Sequence, residues 1–244
     1  MENAQLVGLS RQLTLRRELD MIANNVANVD TIGFKTQSLL LKEQKMAPAA
    51  ALEFRASDRP ISFVLDDANR YDFRPGQMLT TGNELDVAID GKGFFVVQTP
   101  AGERYTRNGS FAIGADGVVQ TRDGYPVLTD GGPLTLQPSE QNLAVAADGT
   151  ISTNQGQRGK MRVVEFADVS RLKKAGETLF EGTDAQPATL PRLVQGQIEK
   201  SNVRAVAEIS RLIEVGRSYQ AVSKWMAEVD ESRRTAIEKL AQVA

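Results

Sequence analysis

Apolar residues recur along this chain with two different periods, and the change of period divides it into three parts. Near the start, Leu6, Leu9 and Leu13 stand three and four residues apart, on one face of a helix expected over about residues 3–27. Leu15, Leu19, Ile22 and Val26 keep that spacing, but at about 100° per residue they fall on nearly the opposite face. Such a helix is expected to meet different neighbours along its length; the plainer alternative is a helix buried on all sides. Near the end, Leu212, Val215, Tyr219, Val222, Met226, Val229, Arg233, Ala236, Leu240 and Val243 alternate steps of three and four, and only Arg233 is charged. This is a heptad seam, the mark of a coiled-coil-like contact. A helix of about 40 residues spans roughly 60 Å, so the seam predicts partners outside the chain's own centre. Ser201 or Asn202 is placed to cap its first turn.

Between the two ends the period falls to two. Leu85, Val87 and Ile89 alternate with Glu84, Asp86, Ala88 and Asp90, the pattern of a half-buried strand with both aspartates on its solvated face. Phe94–Val97 is a short, continuously apolar strand, and Ile61–Leu65 predicts another within an otherwise extended segment. Asp116-Gly117, Asp123-Gly124, Asp130-Gly131 and Asp148-Gly149 mark successive hairpin turns. All nine prolines lie between Pro48 and Pro191, so neither end carries a helix breaker of that kind. The expected fold is α+β, with an antiparallel β-rich central domain. Long N- and C-terminal helices flank it and pack together as a coiled-coil-like axial domain. The expected divisions are an N-terminal axial helix at 1–34, an extended linker and β segment at 35–79, the β domain at 80–190, and a C-terminal axial helix at 191–244.

Composition removes chemistry more than it adds any. The 244 residues hold no cysteine and no histidine, which excludes thiolate nucleophiles, disulfides and Cys/His zinc sites. No cofactor or metal is implied: the Asp-Gly pairs match no calcium loop, and Gly91-Lys92-Gly93 lacks the serine or threonine of a phosphate loop. A net charge of −2 gives no field for nucleic acid. The basic clusters Arg158, Lys160, Arg162 and Arg171, Lys173, Lys174 lack interleaved aromatics and read as solvated surface. Arg11, Arg16, Arg17 and Glu18 interrupt the first stretch, so no cleavable signal peptide and no membrane insertion are expected. Tyr105–Ser110 mixes groups suited to sugar or phosphate, but Asn108-Gly109 within it is foremost a turn signal.

The first helix closes on a run of asparagines. Asn28 is placed as a left-handed C-cap and Gly33 as a second bend. Asn24 and Asn25, one turn earlier, have no capping duty, which leaves their amides for a neighbouring subunit.

Ala23–Asn28 with Thr31, Gly33, Phe34 and Lys35 resembles the N-terminal signature of bacterial flagellar rod and hook proteins. Thr81–Phe95, continued by Tyr105–Phe111, is similar to their central motif. Gln197–Val203 with Glu208, Ile213, Arg217 and Tyr219 looks like their C-terminal signature, although Gln197 stands where the family usually carries an aromatic residue. The resemblance implies a non-enzymatic component of the basal-body rod in the periplasm, exported by the flagellar export apparatus. It also implies assembly with other rod proteins and with copies of itself into a helical tube that transmits torque. On that view the assembly interface comprises Leu6, Leu9, Leu13, Leu19, Ile22, Asn24, Asn25, Asn28, Leu212, Val215, Tyr219, Val222, Met226, Val229 and Leu240. Two other readings are a glycan-binding β module on a helical stalk and a hydrolase using Asp86 and Asp90.

Overall fold

The computed structural model describes residues 2–46 and 61–243, and the side chains of most of these. The chain is mixed α+β and divides into two compact units. One contains helix α1 (Glu2–Ala27), the strand β1 (Gln37–Met46), the strand β2 (Ile61–Tyr71) as far as Arg70, and the long C-terminal helix α2 (Ala205–Val243). The other runs from Asn28 to Thr36 and from Tyr71 to Val203. The Ile61–Leu65 run falls in β2, as its composition predicts; the segment between β1 and β2 lies outside the described residues.

The β unit is built around a six-stranded antiparallel sheet. At its middle β5 (Phe94–Thr99) pairs with β6 (Gly102–Thr106) on one side and Val163–Glu165 on the other. Alternate residues of β5 enter two separate cores. Phe95 and Val97 join Val87, Ile89, Phe111 and Val127 on one side, while Phe94 and Val96 join Tyr105, Val164 and Phe180 on the other. That double burial explains the unbroken apolar run, since a strand covered on both faces has no polar side to show. Phe73, Phe166 and Phe180 close the second core with edge-on ring contacts to Phe94, and Tyr71 packs edge-on against Phe180.

The alternation at Leu85–Asp90 does not produce a half-solvated strand. In β4 (Val87–Ile89) all three residues are buried, and Asp86 just before it is buried as well. Both of its edges are paired, to Leu193–Gln195 on one side and through the Val87 N–H to the Gly109 carbonyl on the other, which draws it into the interior. Of the two aspartates only Asp90 is exposed as expected, 3.4 Å from Arg192, and Glu84 is exposed too.

Two early strands take their partners from far along the chain. The strand β3 (Met78–Thr80) pairs with Gln197–Glu199, and β4 pairs with Leu193–Gln195. Strand therefore runs to Glu199, residues 200–204 are irregular, and α2 begins only at Ala205. Asn202 does not cap it. Its Oδ1 accepts from the Thr36 backbone N–H and hydroxyl, and its Nδ2 donates to the carbonyls of Asp72 and Arg74.

Candidate assembly surface and the junction of three segments

The two faces of α1 have different fates. Leu15 and Ile22 are buried against Val215 of α2, with Leu19, Val26, Leu212, Tyr219 and Val222 packed around them. Leu6, Leu9 and Leu13, on the other face, are 53%, 45% and 58% exposed. Polar pairs fix the helices antiparallel: Asn25 to Glu208 at 3.0 Å, Arg211 to Glu18 at 2.7 Å, Gln12 to Ser223 at 2.9 Å, and Gln5 to Asp230 at 2.7 Å. Gly8 lets the helices approach closely, since a Cβ there would stand 2.7 Å from the Trp225 ring. Met226 and Val229 are half-buried, and the Leu240 side chain lies outside the described residues.

Thus Leu19, Ile22, Leu212, Val215, Tyr219 and Val222 meet one another within the chain, while Leu6, Leu9 and Leu13 remain outward. The asparagines divide too. Asn25 is buried and fully engaged: its Nδ2 donates to the Gln37 carbonyl and its Oδ1 accepts from the Gln37 N–H. It imitates a strand partner and holds the first residue of β1, so its amide is not left over for a neighbour. Asn24 accepts from the Gln37 side chain at 3.4 Å. Asn28 is not left-handed; its carbonyl and Oδ1 both receive Thr31, and the positive φ falls at Gly33 (φ 70°) instead.

Within the β unit, a cluster of charges lies fully inside the protein. Glu199 is 1% exposed; its Oε1 accepts from Lys35 Nζ at 2.5 Å and from the Gly76 N–H at 2.8 Å. Its Oε2 lies 3.4 Å from Arg107. Lys35 also donates to the Arg74 carbonyl, and Arg107 to the Gly91 carbonyl at 2.8 Å while lying over the Phe94 ring. The Gly91-Lys92-Gly93 turn thus serves to receive a guanidinium, and holds no phosphate loop. Burial pulls the Lys35 pKa below its usual value, outweighing the attraction of Glu199 a hydrogen bond away. Burial lowers Arg107 as well, again against the pull of Glu199. Two glycines make the approach possible: a Cβ on Gly33 would stand 2.4 Å from the Asn108 nitrogen, and one on Gly76 1.9 Å from the Lys200 carbonyl.

Three family descriptions match separate parts of the chain. They are "Flagella basal body rod protein" over residues 6–35, "Flagellar hook protein FlgE/F/G D1 domain" over 88–153, and "Flagellar basal body rod FlgEFG protein C-terminal" over 194–239. The flagellar basal-body rod protein FlgF of Caulobacter vibrioides is 42% identical, over the whole of both chains. FlgF of Mesorhizobium japonicum is 30% identical over 98% of each, and the rod protein FlgG of Bacillus subtilis 32% identical over 92% of this chain and 94% of its own. The chain belongs to the flagellar basal-body rod proteins.

A rod protein is a structural component of the flagellum, and the relatives are structural proteins, not enzymes. The buried cluster takes one member from each matched segment: Lys35 from the first, Arg107 from the second, Glu199 from the third. Each stands within a motif legible in the sequence, but its charge role was not. Among the described residues no helix is long and apolar enough to cross a membrane, and no group of acidic residues is placed to hold a metal ion. Asp86 and Asp90 do not form a catalytic pair, one being buried beside Ser110 and the other exposed against Arg192.

Proposed function

We propose that this chain is an FlgF-type rod subunit that joins copies of itself and other rod proteins into a helical tube carrying torque, after passage through the flagellar export apparatus. The helix pair serves as its coiled-coil-like axial part. The observation that carries this reading is the outward leucine stripe of α1. Leu6, Leu9 and Leu13 are spaced as a helix–helix contact requires, yet the chain spends its own seam on the opposite face. Leu19, Ile22, Leu212, Val215, Tyr219 and Val222 then act as the internal frame that presents the stripe, with Asn24, Asn25 and Asn28 fixing the exit of α1.

The test is Leu9→Asp together with Leu13→Asp. Both side chains are exposed in the single chain, so its thermal midpoint should stay within about 2 °C of the parent, as surface changes do. In cells the variant should accumulate outside the cytoplasm while rods stop short and swimming is lost, because taking a carboxylate out of water into an apolar contact costs several kcal/mol. Normal rods built from this variant would overturn the reading.

A further inference from the structure

The β unit holds an open cleft of about 570 Å3, within the roughly 300–1,000 Å3 of small-ligand sites. Leu85, Leu136 and Leu143, the more buried of its lining side chains, make the floor. Beneath Leu85 and Leu143 lies a further gap of about 10 Å3 against Val87, Phe111 and Ile151, so the floor is apolar through to the core. Glu84, Gln137, Gln141 and Asn142 line the same cleft and are exposed. Among the described residues, their side-chain carboxylate and amides are bonded to no other group of the chain.

The walls are fixed before anything binds. Gln195 Nε2 donates to the Glu84 carbonyl at 2.9 Å and to the Leu143 carbonyl at 2.6 Å, which ties residues 82–85 to residues 137–143. The second wall is pinned in turn to the hairpin that follows it. Glu140 accepts from the Gln137 N–H at 2.8 Å and pairs with Arg158, while the Gln141 N–H donates to Asn154 Oδ1 at 3.1 Å. A site held in this way loses little freedom on binding.

The lining excludes as much as it admits. It contains no lysine or arginine, so a phosphate or carboxylate would meet Glu84 with nothing to compensate it. It contains no aromatic ring, so neither a base nor the flat face of a plain sugar has a platform to stack on. The floor offers methyl groups, which suit a methyl-bearing substituent flanked by polar atoms. A 2-acetamido sugar carries that combination: a methyl for the leucines, an N–H for a carboxylate, and a carbonyl for side-chain amides. Because the polar rim is exposed, a chain of such sugars can lie along it.

We propose that this cleft is a saccharide site for a short run of uncharged 2-acetamido sugars. Glu84 receives an acetamido N–H, the amides of Gln137, Gln141 and Asn142 serve the acetamido carbonyl and the ring hydroxyls, and Leu85 and Leu143 take the methyl. No residue of α1 or α2 takes part, so the site stands or falls apart from assembly.

Titration calorimetry of the full-length protein with tri-N-acetylchitotriose tests the proposal. Saturable binding is expected, with two analogues at least ten-fold weaker: cellotriose, which has hydroxyls in place of the acetamido groups, and the deacetylated trimer, which has ammonium groups. Glu84→Ala with Gln141→Ala alters two exposed side chains, so the fold should hold while affinity drops ten-fold or more, as losing a hydrogen bond to a charged group predicts. Gln141→Ala alone should still cost about three-fold. Lys92→Ala, exposed and outside the cleft, should bind as the parent does. Co-sedimentation with peptide-free bacterial cell-wall glycan separates two sources of the same chemistry. Retention that the double variant loses assigns the site to the wall, and trimer binding without retention assigns it to free oligosaccharides. Four outcomes overturn the proposal: no saturable binding of the acetylated trimer, equal binding of cellotriose, tighter binding of the deacetylated trimer, or full affinity in the double variant.

Discussion

Lys35 and Arg107 depend on a single carboxylate, and that dependence is measurable. Glu199→Gln keeps the shape of the side chain but removes the carboxylate paired with both buried cations, leaving only the more distant pull of Asp72 and Glu165. Removing one partner of a buried pair costs about 3–5 kcal/mol, so the urea midpoint of the variant should fall sharply. A loss below about 1 kcal/mol would mean that water reaches the cluster. Lys35 also makes a pH prediction. Because burial lowers its pKa in the folded chain, that state holds fewer protons than the unfolded one between the lowered value and about 10.4. Stability from this group therefore rises with pH through that interval and is complete above it. Lys35→Met has no such slope, so parent stability relative to the variant should climb as pH approaches about 10.4. A flat difference would show that Lys35 titrates as a free lysine. None of this was legible segment by segment: Lys35, Arg107 and Glu199 sit in three motifs far apart in sequence, and only folding makes them neighbours. Asn25 and Asp86 were misread for a related reason. Spacing reports which way a side chain points, but not whether another strand already covers that face.

At the scale of elements, periodicity did better, because a period is a property of the element itself. The spacing of three and four marked α2, and the alternation and turn pairs marked an antiparallel region, but neither could say where α2 starts. Asn202 looks like a cap in the sequence, but its amide is claimed by Thr36, Asp72 and Arg74, and the helix begins three residues later. Glycines within elements separate those that are needed from those that are tolerated. Gly216 lies inside α2 with open space where a Cβ would stand, so Gly216→Ala should stabilise by about 1 kcal/mol. A Cβ on Gly109 would lie 1.7 Å from the Val87 carbonyl oxygen, in backbone that cannot give way cheaply. Gly109→Ala should therefore destabilise by about 3 kcal/mol, and thermal melting of the two variants should move in opposite directions.

For the whole molecule, the chain's linear order and its spatial order disagree. Strands β3 and β4 pair with Gln197–Glu199 and Leu193–Gln195, and the cations at residues 35 and 107 meet their shared carboxylate at residue 199 of 244. A chain synthesised amino end first therefore carries these groups for most of its synthesis with only water to satisfy them. Pairings of such long separation repay their closure entropy only when the last partner arrives. The drive to close the β unit is thus delivered late, when Glu199 appears, and until then an extended thread is the state that leaves Lys35 and Arg107 in water.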